Sequence, residues 1–194
     1  MSTVTTTGER AGILLVDDME DNLIALEAVL RSLNEPLVRA RSGEEAMKAL
    51  LRRRFAVVLL DIRMPGMDGF ETAANIKRLD QTKDVPIIFL TGTDADEGYA
   101  FRGYATGAAD YLTKPFDPWV LRAKVAVFLD LHRKNQQLEK MLAQEQQHLA
   151  QVGERLTALE DRLAAAGPLD PADMRAQVRE FQVLVNTFRH GHQP

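Results

Sequence analysis

The chain contains no cysteine. Disulfides, thiol catalysis and cysteine-ligated zinc are excluded with it. No apolar run approaches the roughly 20 residues needed to cross a bilayer, so no membrane contact is expected. The first residues, MSTVTTTGERAG, are polar and lack the apolar core of a signal peptide, and a cytoplasmic location is the expectation. Basic charge is not in excess either: the net charge is −4, which gives no footprint for nucleic acid. What remains is 194 residues, 45% hydrophobic and 27% charged. That is ordinary for a globular protein, and the length suits one compact domain with an extension, or two small domains.

Two textures divide the chain. From about residue 12 to 120, short aliphatic runs alternate with amphipathic stretches. The runs are GILLV (12–16), PLVRA (36–40), VVLL (57–60), PIIFLT (86–91) and DYLT (110–113). Three are continuously apolar, as parallel strands buried on both faces are. Between them, EDNLIALEAVLRSL, SGEEAMKALLRRR and GFETAANIKRL read as helices. Leu23, Leu26, Val29 and Leu30 share one face, as do Ala46, Leu50 and Leu51. Ser42 is the expected N-cap of the second helix, with Glu45 its capping-box partner. The β-α repeat implies an open, mostly parallel sheet with helices on both faces.

After Pro118 the breakers vanish. Residues 119–165 hold no proline and a single glycine, Gly153. AAAGPLDPAD (164–173) then interrupts the helix, with Gly167 to end it, Asp170 to cap the next and Pro171 in its first turn. A final amphipathic helix follows, with Met174, Val178, Phe181, Leu184, Val185 and Phe188 as its stripe. The expected organisation is a disordered N-terminus (1–10), an α/β domain (11–120) whose last helix continues onward, a long helix (121–165), a break (166–171) and a C-terminal helix (172–190).

In a parallel α/β sheet the C-terminal strand ends share one edge, where ligands bind. The first strand runs into Asp17 and Asp18, the third into Asp61, the fourth into Thr91, and Lys114 follows the fifth. Taken singly, strand-end aspartates are often turn residues, Thr91 a strand residue and Lys114 a solvated charge. Together they place three carboxylates, a hydroxyl and an ammonium at one rim. Clustered carboxylates repel unless a cation neutralises them. All-oxygen ligands suit Mg²⁺, usually held by one or two carboxylates, waters and phosphate oxygens. The chemistry this supports is phosphoryl transfer onto Asp61, since a carboxylate can serve as the nucleophile, with the metal and Lys114 stabilising charge on the transferred group.

The segments LLVDD (14–18), LLDIRMPGMDGFE (59–71), IIFLTG (87–92) and DYLTKPF (110–116) resemble the receiver domain of two-component response regulators. The resemblance covers roughly residues 11–130. It implies a flavodoxin-like (βα)5 fold, a doubly wound parallel sheet of order 2-1-3-4-5. It further implies Asp61 as phospho-acceptor, and Asp17 and Asp18 as the acidic pair for Mg²⁺, with the main-chain carbonyl of Arg63 completing the protein ligands. Thr91 is then the switch hydroxyl, Lys114 the lysine that pairs with the phosphoryl group and Tyr111 the switch aromatic. The Lys114–Pro115 bond is expected to be cis, which X-Pro bonds allow at about 0.5–1 kcal/mol. The implied partner is a histidine kinase or phosphotransfer protein. The side chain of Arg63 either reaches the phosphoryl group, lies across the mouth of the site or is solvated. Thr93, two residues after the switch threonine, is a second position, able to affect access of the hydrolytic water.

With Leu121 as position a, a heptad register runs to Leu163. Positions a are Leu121, Phe128, Asn135, Leu142, Leu149, Leu156 and Leu163. Positions d are Lys124, Leu131, Leu138, Glu145, Val152 and Leu159. A single Asn at position a fixes register and a two-stranded state. Across a parallel pair Lys134 meets Glu139 and Arg155 meets Glu160, both attractive. The expectation is a homodimeric coiled coil through residues 121–165, rooted at Asn135, Leu138, Leu142, Leu149 and Leu156. The alternative is a stripe packed on the final helix. His132 and His148 flank the seam as solvated residues, and no metal site is expected at His190 and His192.

The leading functional reading is therefore a phosphorylation switch acting through protein contacts, with no catalytic or DNA-binding module visible after residue 120. The competing reading is an acid-rich phosphatase or phosphotransferase of similar topology. A further alternative makes the chain the N-terminal part of a larger signalling enzyme with a kinase, phosphatase or cyclase output.

Overall fold

A computed structural model describes residues 11–92, 107–165, 174–176 and 178–179. Five strands form one sheet of order β2-β1-β3-β4-β5, with every neighbouring pair parallel. The elements run β1 (Gly12–Val16), α1 (Glu20–Leu30) with a 3-10 turn (Arg31–Leu33), β2 (Leu37–Ala40) and α2 (Gly43–Arg52). Then follow β3 (Phe55–Asp61), α3 (Gly69–Arg78), β4 (Ile87–Thr91), β5 (Asp110–Thr113) and α4 (Pro118–Ala165). The sheet order and the long C-terminal helix match the sequence expectation. The helix expected between β4 and β5 lies outside the described residues, as do residues 1–10, the break at 166–171, Thr93, His190 and His192.

The continuous apolar runs have a plain cause. Alternate strand residues feed two separate cores, because successive side chains leave opposite faces of a strand. Ile13, Leu15, Val57, Leu59, Ile88 and Leu90 pack with α1 and the start of α4. Leu14, Val16, Val58, Leu60, Ile87 and Phe89 pack with α2 and α3. All seven residues of β3 are buried, at about 1.5–3 kcal/mol for each large aliphatic side chain taken from water. β3 is thus the most firmly seated strand, and it ends in Asp61.

Two details depart from the sequence reading. Leu51 is exposed while Ala46 and Leu50 are buried. At 3.6 residues per turn, position 51 sits about 140° round the helix from position 46, so it belongs to another face. Ser42 Oγ does accept from the Glu45 N–H at 3.2 Å. The Glu45 carboxylate, however, takes the Arg41 N–H at 2.8 Å, so the reciprocal half of the box is shifted by one residue.

The chain divides into two compact units, Met1–Leu138 and Glu139–Pro194. Within the first, Leu121, Val125 and Leu129 enter the sheet core and Phe128 packs against it. Lys124 pairs with Asp110 of β5, and Arg133 pairs with Glu35 ahead of β2. The heptad positions Leu121, Lys124 and Phe128 are therefore occupied by the α/β domain itself. An exposed seam starts only at Leu131. Leu138 is 58% exposed, and Lys134 pairs with Asp130 along the helix at 3.0 Å. In the second unit Leu142, Leu149 and Leu156 are also exposed. The side chain of Leu163 and most of the final helix lie outside the described residues. Met174 and Val178 are helical and exposed. No described helix is long and apolar enough to cross a membrane.

Candidate functional site

The C-terminal ends of β1, β3, β4 and β5 bring the expected residues to one rim. Asp17 follows β1, its N–H held by the Ala40 carbonyl at 3.2 Å, and its side chain is fully buried. Asp61 closes β3 and Thr91 closes β4, both buried. Lys114 is registered to β4 through its N–H on the Thr91 carbonyl at 2.6 Å, and the Lys114–Pro115 bond is cis.

Lys114 occupies the centre. Its Nζ donates to Asp17 Oδ2 at 2.8 Å and to Asp61 Oδ1 at 2.6 Å. Where the sequence suggests three acids awaiting a cation, the structure joins two of them through an ammonium. Asp18 is exposed. Among the described residues, no three His, Asp or Glu side chains are arranged to hold a metal. Asp61 Oδ2 accepts the Arg63 N–H at 2.8 Å. Thr91 Oγ1 donates to the Gly92 carbonyl at 3.3 Å, a weak bond. Tyr111 on β5 is 42% exposed.

The electrostatics follow from this burial. Burial raises the Asp61 carboxyl above its ordinary value, aided by the nearby charge of Asp17, while the Lys114 hydrogen bond and charge oppose the rise. Burial by itself would lower the Lys114 ammonium. Its hydrogen bonds to Asp17 and Asp61 more than offset this, and the net direction is up. The two acids thus favour the charged form of Lys114, while burial disfavours the charged form of Asp61.

The loop after Asp61 is built for close approach. Gly66 sits at φ +77°, which suits a residue after proline in a turn of type II. Asp68 caps α3 by accepting the Glu71 N–H at 2.8 Å. The Gly69 N–H donates to the Ile62 carbonyl at 2.9 Å. A Cβ at Gly69 would stand 2.3 Å from the Asp61 carbonyl oxygen and 2.7 Å from Ile62 Cα. Both are backbone atoms, so the strand end itself would have to move. Gly69→Ala is expected to cost about 1–3 kcal/mol, as overpacking does; an unchanged urea midpoint would count against this account of the loop.

Arg63 is exposed. A Cβ on Gly92 would fall 2.1 Å from Arg63 Nη2. The guanidinium therefore crosses from the β3–α3 loop to the end of β4, over a glycine that leaves it room. Asn22 is a site residue that sequence reasoning misses. It donates to both Asp17 oxygens, at 2.9 and 3.0 Å. Its only signal is positional: an amide five residues after a strand-end aspartate, inside the first turn of the following helix.

Asp17 and Asp61 are buried side by side and carry hard oxygens of the kind Mg²⁺ takes, with the Lys114 ammonium now standing between them where an ion's charge would fit. The raised carboxyl of Asp61 marks a place where added positive charge is favourable.

Fold and rim together describe a phospho-acceptor domain, and comparison with known proteins agrees. Residues 13–126 match the model of the response regulator receiver domain, and the chain belongs to that family. It is 38% identical over 115 residues to response regulator PleD of Caulobacter vibrioides, covering 59% of this chain and 25% of PleD. It is 34% identical over 145 residues to the cyclic di-GMP phosphodiesterase response regulator RpfG of Xanthomonas campestris, covering 73% of this chain and 38% of RpfG. The chain thus spans well under half of these relatives. Among solved structures it resembles the receiver domain of a sensor histidine kinase from Pseudomonas aeruginosa, which holds a magnesium ion in its active site cleft. There the TM-score is 0.57 and identity 32%, over 62% of this chain and 98% of that one. Receiver domains are phospho-acceptor switches of two-component systems that bind Mg²⁺ and take phosphoryl groups from histidine kinases or phosphotransfer proteins.

Proposed function

We propose that Asp61 accepts a phosphoryl group from a histidine kinase or phosphotransfer protein, and that α4 carries the change onward as one strand of a parallel homodimer. The observation that carries the first half is the Lys114 ammonium bridging Asp17 and Asp61 at 2.8 and 2.6 Å. It leaves a buried carboxylate, paired with an ammonium, at the open end of the central strand. In the transfer, an Asp61 oxygen forms the bond to phosphorus as the phosphorus–nitrogen bond of a phosphohistidine breaks, and the departing imidazole takes a proton. Asp17, Asp18, Asp61 and the Arg63 carbonyl would hold Mg²⁺, which supplies positive charge to the phosphoryl oxygens. Lys114 needs only a short swing of its long stem to pair with the new phosphoryl group. The weak bond from Thr91 to Gly92 lets its hydroxyl turn to the same group. The inward movement of Thr91 opens space for Tyr111, whose half-exposed ring then remodels the face around β5.

The receiver is read as residues 11–120, with its last helix continuing into the pairing segment at 121–165. The chain itself works as a cytoplasmic switch rather than an enzyme, and its partners are proteins, not membrane or nucleic acid. Support for the dimer lies in the exposed seam from Leu131 onward, with Asn135 at one position a and the attractive Lys134–Glu139 and Arg155–Glu160 pairings. Paired Leu138→Lys and Leu142→Lys substitutions are expected to turn a micromolar dimer into a monomer by sedimentation equilibrium. A wild type that is already monomeric removes the dimer reading and leaves the Asp61 reading standing. A second reading, the N-terminal part of a larger signalling enzyme, is favoured by the small share of PleD and RpfG that the chain spans. Intact mass and sizing of wild type and Asp61→Ala with Mg²⁺ and acetyl phosphate test acceptor and assembly together.

A further inference from the structure

Asp17 carries more hydrogen bonds than a strand-end aspartate needs. Oδ1 accepts from the Met19 N–H at 3.0 Å and from Asn22 Nδ2 at 2.9 Å. Oδ2 accepts from the same Nδ2 at 3.0 Å and from Lys114 Nζ at 2.8 Å. An ionised carboxylate offers about four lone-pair sites; Met19 and Asn22 hold three of them, and the fourth, on Lys114, is the one a cation would take over. The local sequence explains how. Met19 is the N-cap of α1 and its side chain makes no capping bond. Its N–H goes to Asp17 instead, and Asn22, in the first turn of α1, reaches back to the same carboxylate. The start of the helix and the acid of the site are one hydrogen-bonded unit.

We infer that Asn22 is a positioning residue for the cation site. Rotation of an aspartate carboxylate about its last torsion is broad and roughly two-fold, so backbone placement alone does not fix its plane. An amide touching both oxygens does fix it. Oδ1 is turned to the helix start, and Oδ2 is left as the oxygen shared with Lys114 beside Asp61. This role rests on the proposed reading of Asp17 as a cation ligand. The orientation of that ligand is set from α1, by a neutral donor that brings no charge to compete with the ion. Outer partners of metal ligands commonly govern affinity by 10–100-fold when removed.

The test uses Mn²⁺ alone, with free ion counted by electron paramagnetic resonance on the full chain. Asn22→Ala is expected to weaken Mn²⁺ binding about tenfold, and Asn22→Gln to recover part of that loss. Thermal unfolding without metal is recorded for both. A purely structural role predicts lower stability with an unchanged Mn²⁺ dissociation constant in the folded protein, and that result overturns the inference. If Asn22→Ala does not fold, the wild-type Asn22 side-chain amide signals decide. Titration with diamagnetic Mg²⁺ should move them with the dissociation constant read from the site's backbone amides, and signals that stay in place overturn the inference. A wild type that binds no Mn²⁺ is a different result, since it removes the cation site itself and this inference with it.

Discussion

Asp61→Asn unfolds at a higher urea concentration than the wild type at pH 7 and no longer responds to acetyl phosphate. The loss of response follows because an amide oxygen cannot form the aspartyl phosphate. The gain in stability follows from burial. The Asp61 carboxyl is raised above the ordinary aspartate value of 3.8, so its charged form costs the folded state free energy. A group with a raised folded pKa contributes stability that is fully present below the unfolded value and lost as pH rises through the folded value. Above its folded value the wild type carries this cost, and the neutral amide of the variant removes it. Single stabilising substitutions commonly yield about 0.5–2 kcal/mol, and the gain here is expected in that range. The difference between variant and wild type should shrink as pH falls from neutral toward 3.8. A difference that is absent at pH 7, or that grows in acid, contradicts this electrostatic account.

Lys114→Ala is expected to act in the opposite direction and more strongly. It leaves two adjacent carboxylates, one fully buried and one nearly so, without their shared ammonium. Removing one partner of a buried pair costs about 3–5 kcal/mol. The exposure of Lys114, 28% of its side chain, puts the expected loss near the lower end, about 3 kcal/mol. Two signatures separate this from ordinary packing loss. Acid should restore part of the stability as Asp61 takes up a proton. Millimolar Mg²⁺ should raise the melting temperature of the variant more than that of the wild type, because the ion replaces the missing charge. In the wild type the Lys114 contribution is fully present below the ordinary lysine value of 10.5. It is lost as pH rises through the higher folded value. A variant insensitive to both acid and Mg²⁺ would show that the ammonium is not what holds the carboxylates together.

Much of this was legible in the chain. The runs around Leu14, Val58 and Ile88 read as strands buried on both faces, and the structure supplies the reason in two cores fed by alternate residues. Asp17, Asp61, Thr91 and Lys114 could be gathered at one rim because parallel strands align their C-terminal ends. What stayed hidden depended on distances that periodicity does not carry. The amide of Asn22 reaches Asp17 only because α1 starts where it does. Lys114 lies between two acids, although only its place after β5 can be read from the chain. Gly69 could be read only as the start of the helix GFETAANIKRL, and its function is to let that helix start against the Asp61 carbonyl. The heptad count from Leu121 treated the first turns of α4 as pairing surface. Leu121, Val125 and Leu129 are instead core, because the α/β domain needs a cover on that face of its sheet before any partner is available.

The central claim is that one oxygen atom of Asp61 takes the phosphoryl group. The direct measurement is peptide-level mass spectrometry of the wild type after incubation with Mg²⁺ and acetyl phosphate, with Asp61→Asn run beside it. A single phosphoryl increment is expected on the peptide carrying Asp61, lost without Mg²⁺ and absent from the variant. An increment on another residue, or one that persists in Asp61→Asn, would contradict it.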